Sequence, residues 1–300
     1  APRNRLFADF AEDKLHTDWY SMGWNVFAMV RMQPLQGTLP EYSNIGIVDR
    51  AACTTFEPKS LFTLSHSQIV TDFHFHPKDD RVAFTLSQEG RLYSWRIPEM
   101  LNVDNNSDLN KAFRLEPLSK LYIQADSLNI HPWATHYGAT IGTKSYKGLL
   151  VLVNLHTNTL LRSSYVEQRI YSSSWLTEGN FLALACADKK LRVVDPRCSA
   201  AQTDDNVLMS GAICSDGRPI RVNAMRGEKL LTTNCTQTGR SVKVWDPRNM
   251  NQELHAWDIG VQSSSSFTLY DTDTSVFLVG GKGNGIINWH VLNDDYPFTD

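Results

Sequence analysis

The chain has 300 residues, 42% of them hydrophobic, 20% charged and 10% aromatic, which is the balance of a globular protein long enough to bury a large core. A formal net charge of −3 supplies no global basic field for nucleic acid or an anionic membrane, and no run of 18 or more apolar residues is present to span a bilayer. Five scattered cysteines (Cys53, Cys186, Cys198, Cys214 and Cys235) include no C-x-x-C pair, which excludes zinc ribbons and fingers and argues for reduced thiols in an intracellular protein. The opening Ala1-Pro2-Arg3-Asn4-Arg5 has no apolar stretch behind it, so no secretory signal is read there.

In chain order, Arg3–Phe10 within residues 1–15 has the pattern of an outer strand that closes a ring. Ile45–Asp49 is the first apolar segment that ends in an acid. Ser60–Leu64 follows, with a turn at Ser65-His66-Ser67, and then Ile69–His76 alternates as a half-buried strand does. Pro77–Asp80 is a turn cluster, Arg81–Leu86 a strand, and Gln88-Glu89-Gly90 leads into a fourth strand ending at Trp95. Asn102–Lys111 is a polar, turn-rich insertion with the character of a partner-specific loop. Leu150–Asn154 is the next strand of the series. Ile170–Leu176, Phe181–Cys186 and Leu191–Asp195 follow, separated by turns at Thr177–Asn180 and Asp188-Lys189. Val242–Asp246 and Ile286–His290 complete the set, and no segment of 12 or more residues keeps a clean helical period.

These segments end near positions 48, 95, 153, 194, 245 and 289, at steps of 47, 58, 41, 51 and 44 residues. Such steps match or exceed the roughly 40–45 residues of a WD40 blade, and the longer ones leave room for loops. Trp245-Asp246 is the literal tryptophan–aspartate signature and Val194-Asp195 keeps its acid. The expectation is an all-β, WD40-type β-propeller in a single domain over residues 1–300, with six repeats visible. The tail after Val291 is too short for another blade, so the repeats alone leave two alternatives: a six-bladed ring, or a seven-bladed one whose last blade lies beyond residue 300.

The second half carries a more specific resemblance. Cys186-Ala187-Asp188-Lys189-Lys190-Leu191-Arg192-Val193-Val194-Asp195-Pro196-Arg197 resembles a coronin blade ending, C-x-D-K-x-x-R-x-x-D-P-R. Gly217-Arg218-Pro219-Ile220-Arg221, Thr232-Thr233, Arg240–Asp246, Tyr270–Thr274 and Gly281-Lys282-Gly283 follow in the order of that family. The resemblance covers about residues 186–291, with Ile69–Pro98 less specific, and divergence from the short coronins points to the tandem-propeller branch. It implies a seven-bladed, non-catalytic platform that binds actin filaments, in the cytoplasm on the cytoskeleton or in membrane traffic at the Golgi or on vesicles. The family's N-terminal segment has a basic residue on its actin surface. Here the stretch reads His16-Thr17-Asp18-Trp19-Tyr20-Ser21, with no arginine, which leaves Arg3, Arg5 and Lys14 nearby. No heptad pattern is present for a coiled coil.

Basic loop positions Arg192, Arg218, Arg221, Arg240 and Lys282 in the coronin-like half are the other candidates for a protein surface. The ending Trp245-Asp246-Pro247-Arg248 offers an alternative. It resembles the W-D-x-R of substrate receptors that dock on cullin-type ubiquitin ligases through an adaptor, set against a reading in which Asp246 caps a turn and Arg248 pairs locally. His66, Ser87, Trp95, Asp188, Asp195, Trp245, Asp246 and Trp289 are read as structural positions of the repeat, with His66 a turn histidine that bonds towards Ser87 and Trp95. A metal site from His66, His74 and His76 lacks a carboxylate or cysteine at ligand spacing. The glycine-rich Gly280–Gly285 lacks the phosphate-loop spacing and reads as a hairpin turn. No G-x-S-x-G occurs. No catalytic residue, cofactor, metal or small-molecule substrate is assigned.

Overall fold

The computed structural model describes residues 20–22, 27–32, 43–49, 60–98, 113–144, 147–197, 207–212, 221–235, 239–259, 266–281 and 287–292. Their regular elements are 24 β-strands and one 3-10 turn at Arg226–Glu228. The chain divides into two compact units, one of residues 1–130 with 154–159, the other of 131–153 with 160–300. The ring-closing segment 1–15, the insertion Asn102–Lys111, Arg218 and Lys282 lie outside the described residues.

In the first unit β1 (Tyr20–Met22), β2 (Phe27–Met32), β3 (Ser43–Asp49) and β4 (Ser60–His66) pair antiparallel in chain order. A second antiparallel set is β5 (Val70–His76), β6 (Asp79–Ser87) and β7 (Arg91–Arg96). The chain then lays β8 (Phe113–Leu115) parallel on β4, as a fifth strand that covers its edge, before β9 (Ser119–Tyr122) completes the second sheet beside β7. The segment β10 (Ser127–Ile130) ends this unit.

The sequence puts Ser60–Leu64 at the start of the second set of four strands and a turn at His66. Instead the ladder with β3 continues through Asn44↔Ser65 and Ser43↔His66, so this segment is the fourth strand of the first sheet. The fourth strand of the second sheet is β9, which the sequence reading did not identify. Sequence repeat and folded sheet are thus out of step by one strand.

The second unit contains β11 (Tyr137–Lys144), β12 (Lys147–Asn154) and β13 (Thr159–Val166), side by side in that order. Two four-stranded sheets follow, β14 (Ile170–Trp175), β15 (Leu182–Cys186), β16 (Lys190–Val194) and β17 (Val207–Ala212), then β18 (Arg221–Met225), β19 (Lys229–Cys235), β20 (Arg240–Trp245) and β21 (His255–Asp258). A three-stranded sheet of β22 (Ser266–Asp271), β23 (Val276–Gly281) and β24 (Ile287–Val291) completes it.

Strand β15 shows how the sheets stack. Every residue from Leu182 to Cys186 is buried, as in a strand covered on both faces. Its alternate residues enter different cores: Leu182, Leu184 and Cys186 join Ala139, Ile141 and Leu150, whereas Ala183 and Ala185 join Val222, Leu230 and Trp245. A period of two places successive side chains on opposite faces, and a neighbouring sheet receives each set.

The first strands of successive sheets are stitched to one another by short polar side chains. Ser172 and Ser174 of β14 accept the Val222 and Ala224 backbone N–H groups at 3.3 and 3.0 Å, and Thr268 of β22 donates to Asn223 of β18 at 2.6 Å. In the first unit the Asp72 carboxylate of β5 accepts Ser127 Oγ at 3.0 Å and Leu128 N at 2.8 Å. Backbone donors with no ladder partner on the open side of a first strand are satisfied in this way.

The last sheet buries one face only. Phe277 and Val279 pack with Leu231, Val242 and Val244, while Leu269, Ile287, Trp289 and Val291 lie exposed, Trp289 by 67%. Trp289 is therefore not the interior tryptophan that the repeat leads one to expect. Its strand partner is Leu278, and the position two residues beyond is Gly280, which has no hydroxyl to receive an indole N–H.

Candidate interaction surface

Two tryptophans fix the frame on which any surface is displayed. Trp95 Nε1 donates to Thr85 Oγ1 at 2.8 Å, and Trp245 Nε1 donates to Thr232 Oγ1 at 2.8 Å. Each threonine lies two residues along its strand from the tryptophan's cross-strand partner, Ala83 or Leu230, and so on the same face. His66 Nε2 meets the same Thr85 hydroxyl at 2.7 Å and packs edge-on against Trp95. The relay from His66 to Trp95 thus runs through Thr85, which the sequence reading missed. Ser87 Oγ instead accepts the Arg91 backbone N–H at the turn between β6 and β7. A threonine at matched strand depth in both tryptophan-bearing repeats was the signal available.

Strands β14 and β18 run in the same direction, because Ser172 meets Val222 and Ser174 meets Ala224. Arg221 and Arg240 open their strands at one end of their sheet, whereas Arg192 lies mid-strand in β16 and reaches back to Asp188 at the corresponding end. Arg192 and Arg240 occupy strands rather than loops and are buried, leaving 9% and 2% of their surface to solvent. The Arg192 guanidinium donates to both oxygens of Asp188, at 2.8 and 2.6 Å. That bidentate bond raises the arginine above its usual range despite partial burial. Burial pushes the Asp188 carboxyl up, but the bonds and charge of Arg192 outweigh it and hold the group low. Arg192 thus neutralises an internal charge, and of Arg192, Arg221 and Arg240 only Arg221 is half-exposed.

The opposite sheet ends carry both Asp-Pro-Arg endings. Asp195 and Asp246 each accept the backbone N–H of the arginine two residues later, at 2.9 Å in both turns. Arg197 also folds back on Asp195 through Nε and Nη2, at 2.9 and 3.0 Å. The Arg248 side chain is exposed and makes no hydrogen bond or ion pair among the described residues.

A rim of linked loops runs along these ends in the second unit. Trp133, 64% exposed, donates its indole N–H to Thr177 O at 2.7 Å. Glu228 accepts from Thr177 Oγ1 and from the Glu178 backbone N–H, and Arg226 donates to Asp273 O at 3.0 Å. His131 joins the rim through Gly179 O at 2.9 Å.

The three clustered histidines have separate partners. His66 serves Thr85, and His76 Nδ1 accepts the Lys78 backbone N–H at 3.2 Å. His74 Nε2 lies 3.1 Å from Asp72 Oδ1. Burial disfavours both charges of this pair, yet their mutual attraction prevails, supported by the bonds from Leu128 and Ser127 to Asp72. Asp72 is consequently held below, and His74 above, its ordinary value. Among the described residues no group of three or more His, Cys, Asp or Glu is placed to hold a metal, and no helix is long and apolar enough to cross a membrane.

No protein-family model matches the chain. Coronin-2A of Homo sapiens is 28% identical to it over 240 residues, and coronin-2A of Bos taurus 26% identical over 239. Both matches cover 77% of this chain but 43% of the relative, so the chain spans less than half the length of these curated proteins. Among solved structures, the WD40 domain of Toxoplasma gondii coronin superposes with a TM-score of 0.76 at 19% identity, covering 95% of this chain and 70% of that one. The chain is similar to coronins, and its fold is an all-β WD40 β-propeller. Five of its sheets have the four or more strands of a full blade among the described residues.

Proposed function

We propose that the chain is a non-catalytic protein-binding platform of coronin type, a single propeller over residues 1–300 that binds actin filaments. By this reading it acts in the cytoplasm, on the cytoskeleton or in membrane traffic linked to it at the Golgi or on vesicles. The observation that supports the reading is the similarity to coronin-2A over 240 residues. Propellers bind through the loops at their two faces, and filament contact falls to Arg3, Arg5, Lys14, Arg218, Arg221 and Lys282, since Arg192 and Arg240 are buried. We further propose a ring of more than five blades, six by the repeats and seven by family resemblance, in which another sheet covers the apolar face around Trp289.

Co-sedimentation of the folded chain with actin filaments over a salt series tests the first proposal. Binding that weakens with salt and with joint charge reversal at Arg218, Arg221 and Lys282 is the expected result. Folded protein that stays in the supernatant at every salt concentration refutes it.

The second reading, docking on a ubiquitin-ligase adaptor, is favoured by one contrast: the exposed Arg248 side chain makes no bond among the described residues, while Arg197 is tied to Asp195. Loss of adaptor binding in Arg248→Ala, with Arg197→Ala unaffected, would support it. Equal retention in both variants would remove it.

A further inference from the structure

The loop between β10 and β11 is organised around one imidazole. His131 Nδ1 accepts two backbone donors, Trp133 N at 3.1 Å and Ala134 N at 2.9 Å. Two N–H groups aimed at one ring nitrogen require a lone pair there, so the proton sits on Nε2, which donates to Gly179 O at 2.9 Å. The ring packs against Trp175 at a tilt of 57°, with centroids 4.6 Å apart. Gly179 has φ +73°, and a Cβ at that position would lie 2.4 Å from His131 Cε1, so the turn is shaped around the ring.

We propose that His131 is a proton-operated latch on this loop: protonation at Nδ1 frees the Trp133 and Ala134 backbone N–H groups and ends the fixed presentation of the exposed Trp133. A proton on Nδ1 would point an N–H at two other N–H groups, so both backbone donors lose their acceptor at once. Trp133 keeps only its indole bond to Thr177 O, and an aromatic held ready as a binding anchor becomes mobile.

The charged surroundings set the working range. Burial pushes the imidazole below its ordinary value, the Gly179 carbonyl pulls the other way, and His136 and Arg197 add to the downward push. The remaining charges near the ring are already engaged, since Asp195 holds Arg197 and the Glu228 carboxylate holds Thr177 and Glu178 N. The Glu178 carboxylate is exposed. A released histidine titrates at its ordinary 6.5, so the latch holds above that pH and weakens as pH falls from there towards the lower latched value.

The control variant is present in the same chain. Asn154 Oδ1 accepts His156 N and Thr157 N at 2.9 and 3.0 Å, the same two-and-three-residue pattern that His131 makes, and it does so without a titrating group. His131→Asn should therefore hold the loop at every pH. Amide resonances of Trp133 and Ala134 and the Trp133 indole resonance are followed by NMR in the full chain, from about pH 8 to about pH 5. The wild type should show them shifting together with the His131 ring, with about tenfold loss of amide protection, the effect of losing one ordinary hydrogen bond. In His131→Asn they should stay fixed. Loop signals that stay flat while the ring titrates would overturn the proposal, as would a ring that does not titrate in that range or the same titration in the variant. Should the variant fail to fold, the wild type still decides: coincident ring and amide midpoints support the latch, and separate midpoints refute it.

Discussion

Replacing Thr85 by valine removes one hydroxyl and leaves the shape of the side chain nearly unchanged. The structure makes that hydroxyl the shared partner of Trp95 Nε1 and His66 Nε2, with Thr85 and Trp95 fully buried and His66 97% buried. A buried polar group left without a partner costs about 1–3 kcal/mol, so the two orphans together cost about 2–6 kcal/mol. Thr232→Val is the matched control: it orphans Trp245 Nε1 and should cost about 1–3 kcal/mol. Urea unfolding followed by far-ultraviolet circular dichroism, at unchanged slope, measures both. A cycle with Trp95→Phe isolates the indole share, because the valine penalty must shrink when the N–H is already gone. If Thr85→Val costs no more than Thr232→Val, or the cycle is additive within about 0.5 kcal/mol, then Thr85 is not the hub described.

The Asp72–His74 pair predicts a stability maximum. Asp72 is depressed, so its contribution is complete above its ordinary 3.8 and is lost as pH falls through the folded value; His74 is raised, so its contribution is complete below 6.5 and is lost as pH rises through the folded value. Melting temperature should thus peak between those values, and Asp72→Asn with His74→Gln should flatten the profile. Ser172→Ala with Ser174→Ala should speed amide exchange at Val222 and Ala224 selectively, and cost about 0.5–1.5 kcal/mol per lost bond. Arg192→Ala should lower the melting temperature by leaving Asp188 without its buried partner, whereas Arg248→Ala, which removes an exposed side chain, should leave stability within about 0.5 kcal/mol of wild type. Equal effects at the two arginines would contradict their placement.

Much of the architecture could be read in the sequence because burial on both faces imposes apolar composition on strands such as Leu182–Cys186, and turns such as Thr177–Asn180 carry their own chemistry. The outer strands β9 and β17 were harder to see. One face of each is solvated, and they alternate only weakly, as Ser119–Tyr122 does. Arginines look alike in a sequence whether they end buried or half-exposed. Arg192 is drawn inward by an aspartate four residues earlier, across a turn in which Lys189 takes φ 63°. Trp289 misled for a similar reason: a tryptophan at the right step implies a covered position only where a neighbouring sheet supplies the cover.

The one-strand offset between repeat and sheet means that the heritable unit and the mechanical unit are different objects. Ser60–His66 belongs to the first sheet by its backbone, yet the imidazole at its end is seated in the second, on Thr85. A cut placed at the sheet boundary, between His66 and Val70, separates that plug from its socket. A cut at the repeat boundary strips the first sheet of its fourth strand. Neither boundary yields a self-sufficient fragment, so the chain resists modular dissection. A load applied to one sheet is passed to the next through a side chain rather than through the connecting peptide alone.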